Sequence, residues 1–439
     1  MKRNEGLHFY INVANFDDVV ADEEDKKGKP IHCIHALDTL FTSIERYGKK
    51  KYENLHVEKV TGSRLHLYII DDEEASFSAL ADVAKFAQEL TGYINKNIPK
   101  YKTLLNFKIQ VGSCYGQFYD FIFKSGDVEE ETTIGFAANY AAKLQALSPT
   151  GCLVISEDMY STLSKEEKAL FKEANNVKIR KYNQSHYYVA LISSLPDSNA
   201  SDEDFEEVSR YANSVNLSDM NFRNATKKVS LQDLSKTECK KIYGVPLFAD
   251  VRGFTAQFDD DDANLDEMAN KTQKILSSMY DAVVNHNGIH VQFQGDREFA
   301  LFHSYSDYDK CEVDAVIVAL RIIDAVKQFK VSVGVGESVG NMFAARIGAR
   351  GEKDIAVLGK TVQVADSMED DHAKENQLAI TREVYEAIQE KNDQLASIFK
   401  MAEGYYVTEK TYSDYKDLIS GRSLKKFNTS SGYNPAWGE

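Results

Sequence analysis

Two aspartates in the second half of the chain stand where carboxylates can hold divalent metal ions. Asp250 ends the apolar run PLFAD, and Asp296 lies in a Gly-Asp turn between two strand-like runs, 296 − 250 = 46 residues later. In a βαββ unit the end of the first strand and the hairpin turn can meet on adjacent strands. Mg²⁺ prefers a few carboxylates completed by phosphate oxygens. A single aspartate at a strand end is usually turn chemistry, so the metal-site prediction depends on the pair.

The residues after the first aspartate form a candidate phosphate-binding turn. The sequence continues VRGFT, with Gly253 just before a predicted helix. Backbone N–H groups at such a helix start suit a triphosphate. The candidate substrate contacts are Val251, Arg252, Gly253, Phe254 and, beside the second aspartate, Arg297. A surface salt bridge is the alternative for the two arginines. Together these features outline two-metal phosphoryl transfer.

The composition narrows the class of protein. The chain has 439 residues, and 52 Lys and Arg against 68 Asp and Glu give a net charge of 52 − 68 = −16. This length favours two or three domains, and the acidic balance disfavours a nucleic-acid polymer as partner. No apolar run approaches the roughly 20 residues of a membrane span, and no signal peptide is evident. Five scattered cysteines without a CxxC pair indicate reduced thiols in a cytoplasmic protein and no zinc site.

Six sequence blocks recur in the same order in the two halves of the chain. The clearest pairs are HFYINVANF (8–16) with PLFADVRGF (246–254), HVEKVTGSRLHLYI (56–69) with HVQFQGDREFALFH (290–303), and KIQVGSCYG (108–116) with VSVGVGESVG (331–340). Each copy has a βαββαβ pattern, which predicts an α+β fold of two tandem ferredoxin-like domains. The predicted parts are domain 1–195, a polar linker 196–238, domain 239–412 and a tail 413–439. The run Asp259 to Asp262 is interpreted as a solvated helix start.

The blocks FADVRGFT, FQGDREFALF and VLGKTVQVA resemble the signature blocks of class III nucleotidyl cyclases, the adenylate and guanylate cyclase family. The resemblance covers about 8–192 and 244–410. It implies two domains packed head to tail, in which two aspartates of one domain bind two Mg²⁺ or Mn²⁺ ions. The other domain supplies an Asn and an Arg for the transition state, and a Lys with an Asp or Thr that read the base.

Carried over by position, these family residues divide between the two copies. The C-terminal copy keeps both metal residues, Asp250 and Asp296, where the N-terminal copy has Asn12 and Ser63. The N-terminal copy offers Asn139 and Lys143 for the transition state and Lys59 and Thr132 for the base, where the C-terminal copy has Gln363, Ser367, Gln292 and Ala356. Because the losses are complementary, we expect an intrachain pseudo-heterodimer with a single active site.

The resemblance implies cyclisation of a nucleoside triphosphate to a 3′,5′-cyclic nucleotide and pyrophosphate. The stretch GIHVQFQGDREFALFH is similar to the Pycsar anti-phage cyclases, which favours a UTP or CTP cyclase that makes cUMP or cCMP as a messenger. Lys59 and Thr132 at the base-reading positions resemble those of adenylate cyclases, so an adenylate cyclase that makes cAMP is an alternative. A non-catalytic pseudo-cyclase that only binds nucleotide is another alternative, because Lys143, Gln363 and Ser367 depart from the family residues. A palm-domain polymerase-type enzyme is a third alternative. No membrane partner is expected, and a homodimer stays open.

Overall fold

The structure is a computed structural model that describes residues 1–126, 128–177, 179, 184–254, 265–348 and 354–420. The Asp259 to Asp262 run and the part of the tail after residue 420 lie outside these residues.

The N-terminal copy is built around one mixed sheet. Its strands are β1 (Lys2–Val13), β2 (Leu55–Thr61), β3 (Arg64–Ile69), β4 (Ile109–Ser125), β5 (Val128–Ile134), β6 (Cys152–Ser156), β7 (Lys172–Ala174) and β8 (Tyr187–Leu191). Its helices are α1 (Phe16–Lys27), α2 (Ile31–Lys51), α3 (Glu73–Asn97), α4 (Phe136–Leu147), α5 (Glu157–Thr162) and α6 (Lys165–Lys168). The strands follow the order β2-β3-β1-β4-β6-β8-β7, and β5 pairs with β4.

The segment between the copies contains α7 (Asp202–Ser214) and β9 (Asn221–Asn224). A capping box of Ser201 and Asp204 starts α7. The helix packs on α2, where Tyr211 donates to Asp38 at 2.9 Å and Lys50 pairs with Asp204 at 2.7 Å. The segment predicted as a polar linker therefore carries a helix that is bound to the N-terminal copy.

The C-terminal copy repeats the same plan. Its strands are β10 (Glu238–Arg252), β11 (Ile289–Gln294), β12 (Arg297–His303), β13 (Ser332–Glu337), β14 (Gly340–Ile347), β15 (Asp354–Leu358), β16 (Gln377–Thr381), β17 (Lys400–Met401) and β18 (Tyr405–Thr408). Its helices are α8 (Leu265–Val284), α9 (Cys311–Lys327), α10 (Lys360–Ser367), α11 (Arg382–Lys391), α12 (Asp393–Ala396) and α13 (Tyr412–Ile419), and a π-helical turn, Met368–His372, follows α10.

The two sheets confirm the repeat and the predicted α+β fold. The order β11-β12-β10-β13-β16-β18-β17 matches the N-terminal order strand for strand, while β14 and β9 pair with β10 and β15 pairs with β14. A stacked pair of tyrosines also occurs in both copies: Tyr160 stacks on Tyr188 with ring centroids 3.5 Å apart, and Tyr385 stacks on Tyr406 at 3.7 Å.

Each copy places a β-arm in the hydrophobic core of the other. Tyr119, Phe121, Phe123 and Ile134 of the β4–β5 arm are buried in the C-terminal core. Phe343, Ile347 and Leu358 of the β14–β15 arm are buried in the N-terminal core. This reciprocal burial of large apolar side chains makes the interface between the copies part of the folding core, as in an obligate dimer. The two copies of one chain thus form a head-to-tail pseudo-heterodimer.

Within the described part of the chain, no helix has the length and apolar character needed to cross a membrane.

Candidate active site

A cavity of about 370 Å³ lies between the two copies. Small-molecule sites usually measure about 300–1,000 Å³. The N-terminal copy contributes Tyr10, Glu58, Lys59, Arg64, His66, Asn139 and Lys143 to its lining, and the C-terminal copy contributes Asp250, Gln294, Gly295, Arg297, Asp366, Glu369, Asp370 and Asp371. Residues of the two halves that are far apart in sequence therefore share one cavity.

The strand pairing brings the two candidate metal aspartates together. Asp250 in β10 is paired with Arg297 in β12, so the turn that carries Asp296 adjoins the end of β10. Gly295 opens this turn with φ of +67°, a left-handed conformation that favours glycine. The Asp296 side chain is nearly inaccessible, with the residue 4% exposed.

The two carboxylates disfavour each other's ionised form. Burial and then the charge of Asp250 raise the pKa of Asp296 well above its ordinary value. Burial also raises the pKa of Asp250, although Arg252 and Arg297 act to lower it. Two neighbouring acids, of which Asp296 is buried and Asp250 half-buried, are a fitting donor set for a divalent cation, which relieves the repulsion between them.

The protein supplies only part of a metal coordination shell. Among the residues that the structure describes, no group of three or more His, Cys, Asp or Glu side chains has a metal-binding arrangement. Asp250 also accepts a hydrogen bond from Arg252 at 2.9 Å, which a metal ion would have to displace. Asp250 and Asp296 therefore fit Mg²⁺ or Mn²⁺ if phosphate oxygens and water complete the shell, as is usual for Mg²⁺.

Helix α4 carries both candidate transition-state residues to the metal aspartates. It begins after Gly135, whose Cβ, if present, would lie 2.9 Å from the Phe118 Cα, so the strand approaches too closely for another residue. The Asn139 Oδ1 lies at the turn that carries Asp296, 3.6 Å from where a Cβ on Gly295 would stand. Lys143 lies four residues later on the same helix face. The structure thus places Asn139 and Lys143 in the same cavity as Asp250.

Four cations in and beside the cavity are paired with acids of the C-terminal copy. Lys143 pairs with Asp370. Arg252 contacts Glu369 at 2.6 Å, Arg297 contacts Glu369 at 2.7 Å and Asp366 at 2.5 Å, and Arg64 contacts Asp366 at 3.2 Å. Burial and Asp250 raise the pKa of Glu369 to about 8, although Arg297 and Arg252 act to lower it. The sequence analysis did not predict a role for these acids. The acidic stretch DSMEDD, which directly follows the block VLGKTVQVA, could have indicated them.

The two arginines differ from exposed salt bridges. The side chain of Arg297 is 13% exposed and that of Arg252 is 21% exposed. Arg297 also lies over the Phe248 ring at 4.3 Å. Both guanidinium groups thus belong to an ion-pair network inside the interface between the copies.

The two candidate base-reading residues contact the β11–β12 hairpin that carries Asp296. The Lys59 ammonium has three acceptors, namely the Phe293 carbonyl, Glu130 at 3.3 Å and Thr132 at 3.4 Å. The Thr132 hydroxyl accepts from the Gly295 amide at 3.0 Å. Since an ammonium has three protons, Lys59 can donate to a base only by giving up one of these bonds.

The candidate phosphate-binding turn is described only in part. The side chains of Val251 and Phe254 are buried in the C-terminal core, so only their backbone groups are available to a phosphate. Gly253 has φ of +65°, and no heavy atom of the described residues lies within 4 Å of the position of its missing Cβ. The residues that follow, 255–264, lie outside the described structure.

The opposite position of the interface carries amides and hydroxyls. A second cavity of about 270 Å³ there is lined by Asn12, Ser63, Gln363 and Ser367, among others. Ser63 donates to Asn12 at 3.0 Å, and Asn12 donates to Gln110 at 3.1 Å. Asn12 and Ser63 stand where the other side has Asp250 and Asp296.

The comparisons with known proteins agree with this architecture. The family model described as "Adenylate and Guanylate cyclase catalytic domain" matches residues 6–191 and 242–411. A class III adenylyl cyclase-like ATP-binding protein from Pseudomonas aeruginosa has a similar fold, with a TM-score of 0.72, 18% identity, and coverage of 95% of this chain and 90% of that one. An adenylyl cyclase from P. aeruginosa aligns with 39% of this chain and 94% of its own at 17% identity, with a TM-score of 0.33.

Curated relatives match over a shorter region. Uncharacterized proteins from Mycobacterium tuberculosis and Mycobacterium bovis are 30% identical over 125 residues, which is 27% of this chain. The match spans about a fifth of the length of those proteins, 22%.

Proposed function

Since the chain belongs to the adenylate and guanylate cyclase catalytic domain family, we propose that it cyclises a nucleoside triphosphate at one site between its two copies. The cavity that Asn139 of the N-terminal copy and Asp250 of the C-terminal copy line together carries the proposal. It joins a candidate transition-state residue to a candidate metal ligand across the interface. The opposite interface position has neither carboxylate.

In the proposed reaction the ribose 3′-hydroxyl attacks the α-phosphate. The O3′–Pα bond forms, the bond from Pα to the bridging oxygen breaks, pyrophosphate leaves and the hydroxyl proton is released. Lys143 stabilises the negative charge on the α-phosphoryl oxygens, and Asn139 orients the ribose. Asp250 and Asp296 would hold two Mg²⁺ or Mn²⁺ ions, which would lower the pKa of the hydroxyl and neutralise phosphate charge.

The charge of the cavity supports a metal-dependent substrate. Its lining has six acids (Glu58, Asp250, Asp366, Glu369, Asp370 and Asp371) and four bases (Lys59, Arg64, Lys143 and Arg297), a balance of 4 − 6 = −2. A free triphosphate is repelled by such a cavity, whereas a metal–nucleotide complex brings its own cations.

For the base we propose a pyrimidine, with cUMP or cCMP as a messenger in anti-phage defence. Tyr10 and His66 stack with ring centroids 4.0 Å apart and both line the cavity near Lys59. Two stacked rings at this position reduce the room for a base, which supports the smaller pyrimidine. The defence role is supported by the resemblance of GIHVQFQGDREFALFH alone.

Incubation of the purified chain with each of the four ribonucleoside triphosphates and Mn²⁺ or Mg²⁺ tests the proposal. We expect mass spectrometry to detect cUMP or cCMP, and no product from Asp296→Asn. The matched control is Asp307→Asn, an exposed aspartate that does not line the cavity. A purine product alone would refute the base assignment, and activity retained in Asp296→Asn would refute the metal assignment.

A second candidate function is nucleotide binding without turnover. The observation in its favour is Lys143, which replaces the family arginine and is paired with Asp370. The fold is also similar to that of a protein described as adenylyl cyclase-like and ATP-binding. Saturable nucleotide binding without cyclic product from any of the four substrates would establish this function instead.

A further inference from the structure

Glu130 contacts the metal-binding hairpin from the opposite copy. It lies in β5 of the N-terminal copy, and its Oε1 accepts a hydrogen bond from the Phe293 amide at 2.8 Å. The same carboxylate pairs with Lys59 at 3.3 Å and, through Oε2, with His290 at 3.0 Å. Phe293 and His290 belong to β11, the strand that leads into the Gly295–Asp296 turn.

His290 joins Glu130 to a second acid in the C-terminal core. Its Nδ1 lies 2.8 Å from Glu298, which is completely buried. Burial acts to lower the pKa of His290, but the charge of Glu298 and the bond to Glu130 raise it to about 10. The ring is therefore an imidazolium near neutral pH, and each of its N–H groups donates to one carboxylate.

The turn that carries Asp296 is thus held at two backbone amides by one strand of the other copy. Glu130 binds the Phe293 amide and Thr132 binds the Gly295 amide, three residues and one residue before Asp296. Lys59 adds a bond to the Phe293 carbonyl. Because Glu130 and Thr132 are two residues apart in β5, their side chains leave the same face of that strand.

We propose that Glu130 is a positioning residue, which fixes the Asp296 turn from the N-terminal copy and so makes metal affinity depend on contact between the copies. The inference rests on the proposed function, because it takes Asp296 as a metal ligand. Residues that orient metal ligands are commonly worth about 10–100-fold in metal affinity or activity. Two other roles of Glu130 are a contact to the nucleotide base and a purely structural ion pair.

The test compares Glu130→Ala and Glu130→Gln with Glu129→Gln in the full chain. Glu129 precedes it in β5, is 59% exposed in its side chain and pairs with Lys124 at 3.0 Å, so it controls for loss of a carboxylate. Mn²⁺ binding is measured by electron paramagnetic resonance in the presence of a 3′-deoxynucleoside triphosphate, which cannot cyclise. Thermal unfolding of each metal-free variant is recorded alongside.

We expect Glu130→Ala to raise the Mn²⁺ concentration at half-saturation by about tenfold or more. Glu130→Gln, which keeps an acceptor for the Phe293 amide, should give a smaller rise, and Glu129→Gln should give none. Unchanged Mn²⁺ affinity with a weaker nucleotide affinity, or with only a lower melting temperature, would overturn the positioning role. If wild type makes no cyclic product yet Glu130→Ala weakens Mn²⁺ binding, the positioning role stands and the proposed reaction falls.

Discussion

Lys143 of the N-terminal copy forms an ion pair with Asp370 of the C-terminal copy, inside the cavity that both line. The Asp370 side chain is 41% exposed and that of Lys143 is 8% exposed. Asp370 thus binds the Lys143 ammonium, which in the proposed reaction would contact the α-phosphate of the nucleotide. Substrate and Asp370 compete for the same cation.

Asp370→Asn should therefore strengthen substrate binding. A half-exposed ion pair is worth about 0.2–1 kcal/mol, which corresponds to a decrease in KM of up to about fivefold. We expect kcat to change little, because Lys143 reaches the phosphate in the bound state of both proteins. Steady-state kinetics with Asp307→Asn as the exposed control check this, and an increase in KM would show that Asp370 helps the substrate to bind.

Lys143→Ala should remove most of the turnover while leaving the fold intact. One electrostatic group of this kind contributes about 2.7–4 kcal/mol to the transition state, or 10²–10³ in kcat. Lys143→Arg should keep activity or raise it, since the planar guanidinium binds phosphate oxygens in a fork. Single-turnover rates of both variants are compared with Lys102→Ala, an exposed lysine. Near-normal turnover in Lys143→Ala would exclude its catalytic role.

The repeat pattern predicted those parts of the site whose positions are determined by strand order and helix periodicity. Asp250 and Asp296 meet because β10 pairs with β12, an arrangement that the βαββ pattern already implied. Asn139 and Lys143 share a helix face because they are four residues apart. The apolar blocks that recur in both halves also predicted two sheets of the same strand order.

Contacts between the copies could not be predicted, because they depend on the relative position of two folded units. The strand pairing in β2 shifts between Val57 and Lys59, and a similar shift occurs in β11 between His290 and Gln292. Local bulges of this kind redirect side chains. The sequence therefore predicted Lys59 and Thr132 as base-reading residues but did not show that Lys59 binds the Phe293 carbonyl and Thr132 the Gly295 amide.

Arg297→Ala should destabilise the protein by several kcal/mol. The guanidinium pairs with the half-buried Asp366 and the buried Glu369, and its removal would take a partner from both acids. Breaking a buried pair on one side costs about 3–5 kcal/mol. The matched control is Arg382→Ala, whose pair with Glu386 at 2.7 Å is on the surface, with the arginine side chain 70% exposed.

Urea unfolding at pH 7 without metal gives both free energies. We expect the control to stay within about 0.5 kcal/mol of wild type. A loss below about 1 kcal/mol in Arg297→Ala would place Arg297 among the weak surface pairs.

The buried cluster around His290 should make stability depend on pH above neutrality. The pKa of His290 is about 10 in the folded protein, whereas its ordinary value is 6.5. Between these values the folded protein binds one proton more than the unfolded chain, so the free energy of unfolding falls as pH rises. The contribution is complete below about pH 6.5 and is lost as pH rises through about 10.

The double variant His290→Gln, Glu298→Gln removes the cation together with the acid that burial would otherwise leave unpaired. Urea unfolding of wild type and of the double variant at pH 6, 7, 8 and 9 isolates the cluster, because groups elsewhere titrate equally in both proteins. We expect the difference in unfolding free energy to be largest at pH 6 and to decrease steadily toward pH 9. A difference that stays constant over this range would mean that His290 gains or loses no proton on unfolding, and that the carboxylates of Glu130 and Glu298 do not hold it as an imidazolium.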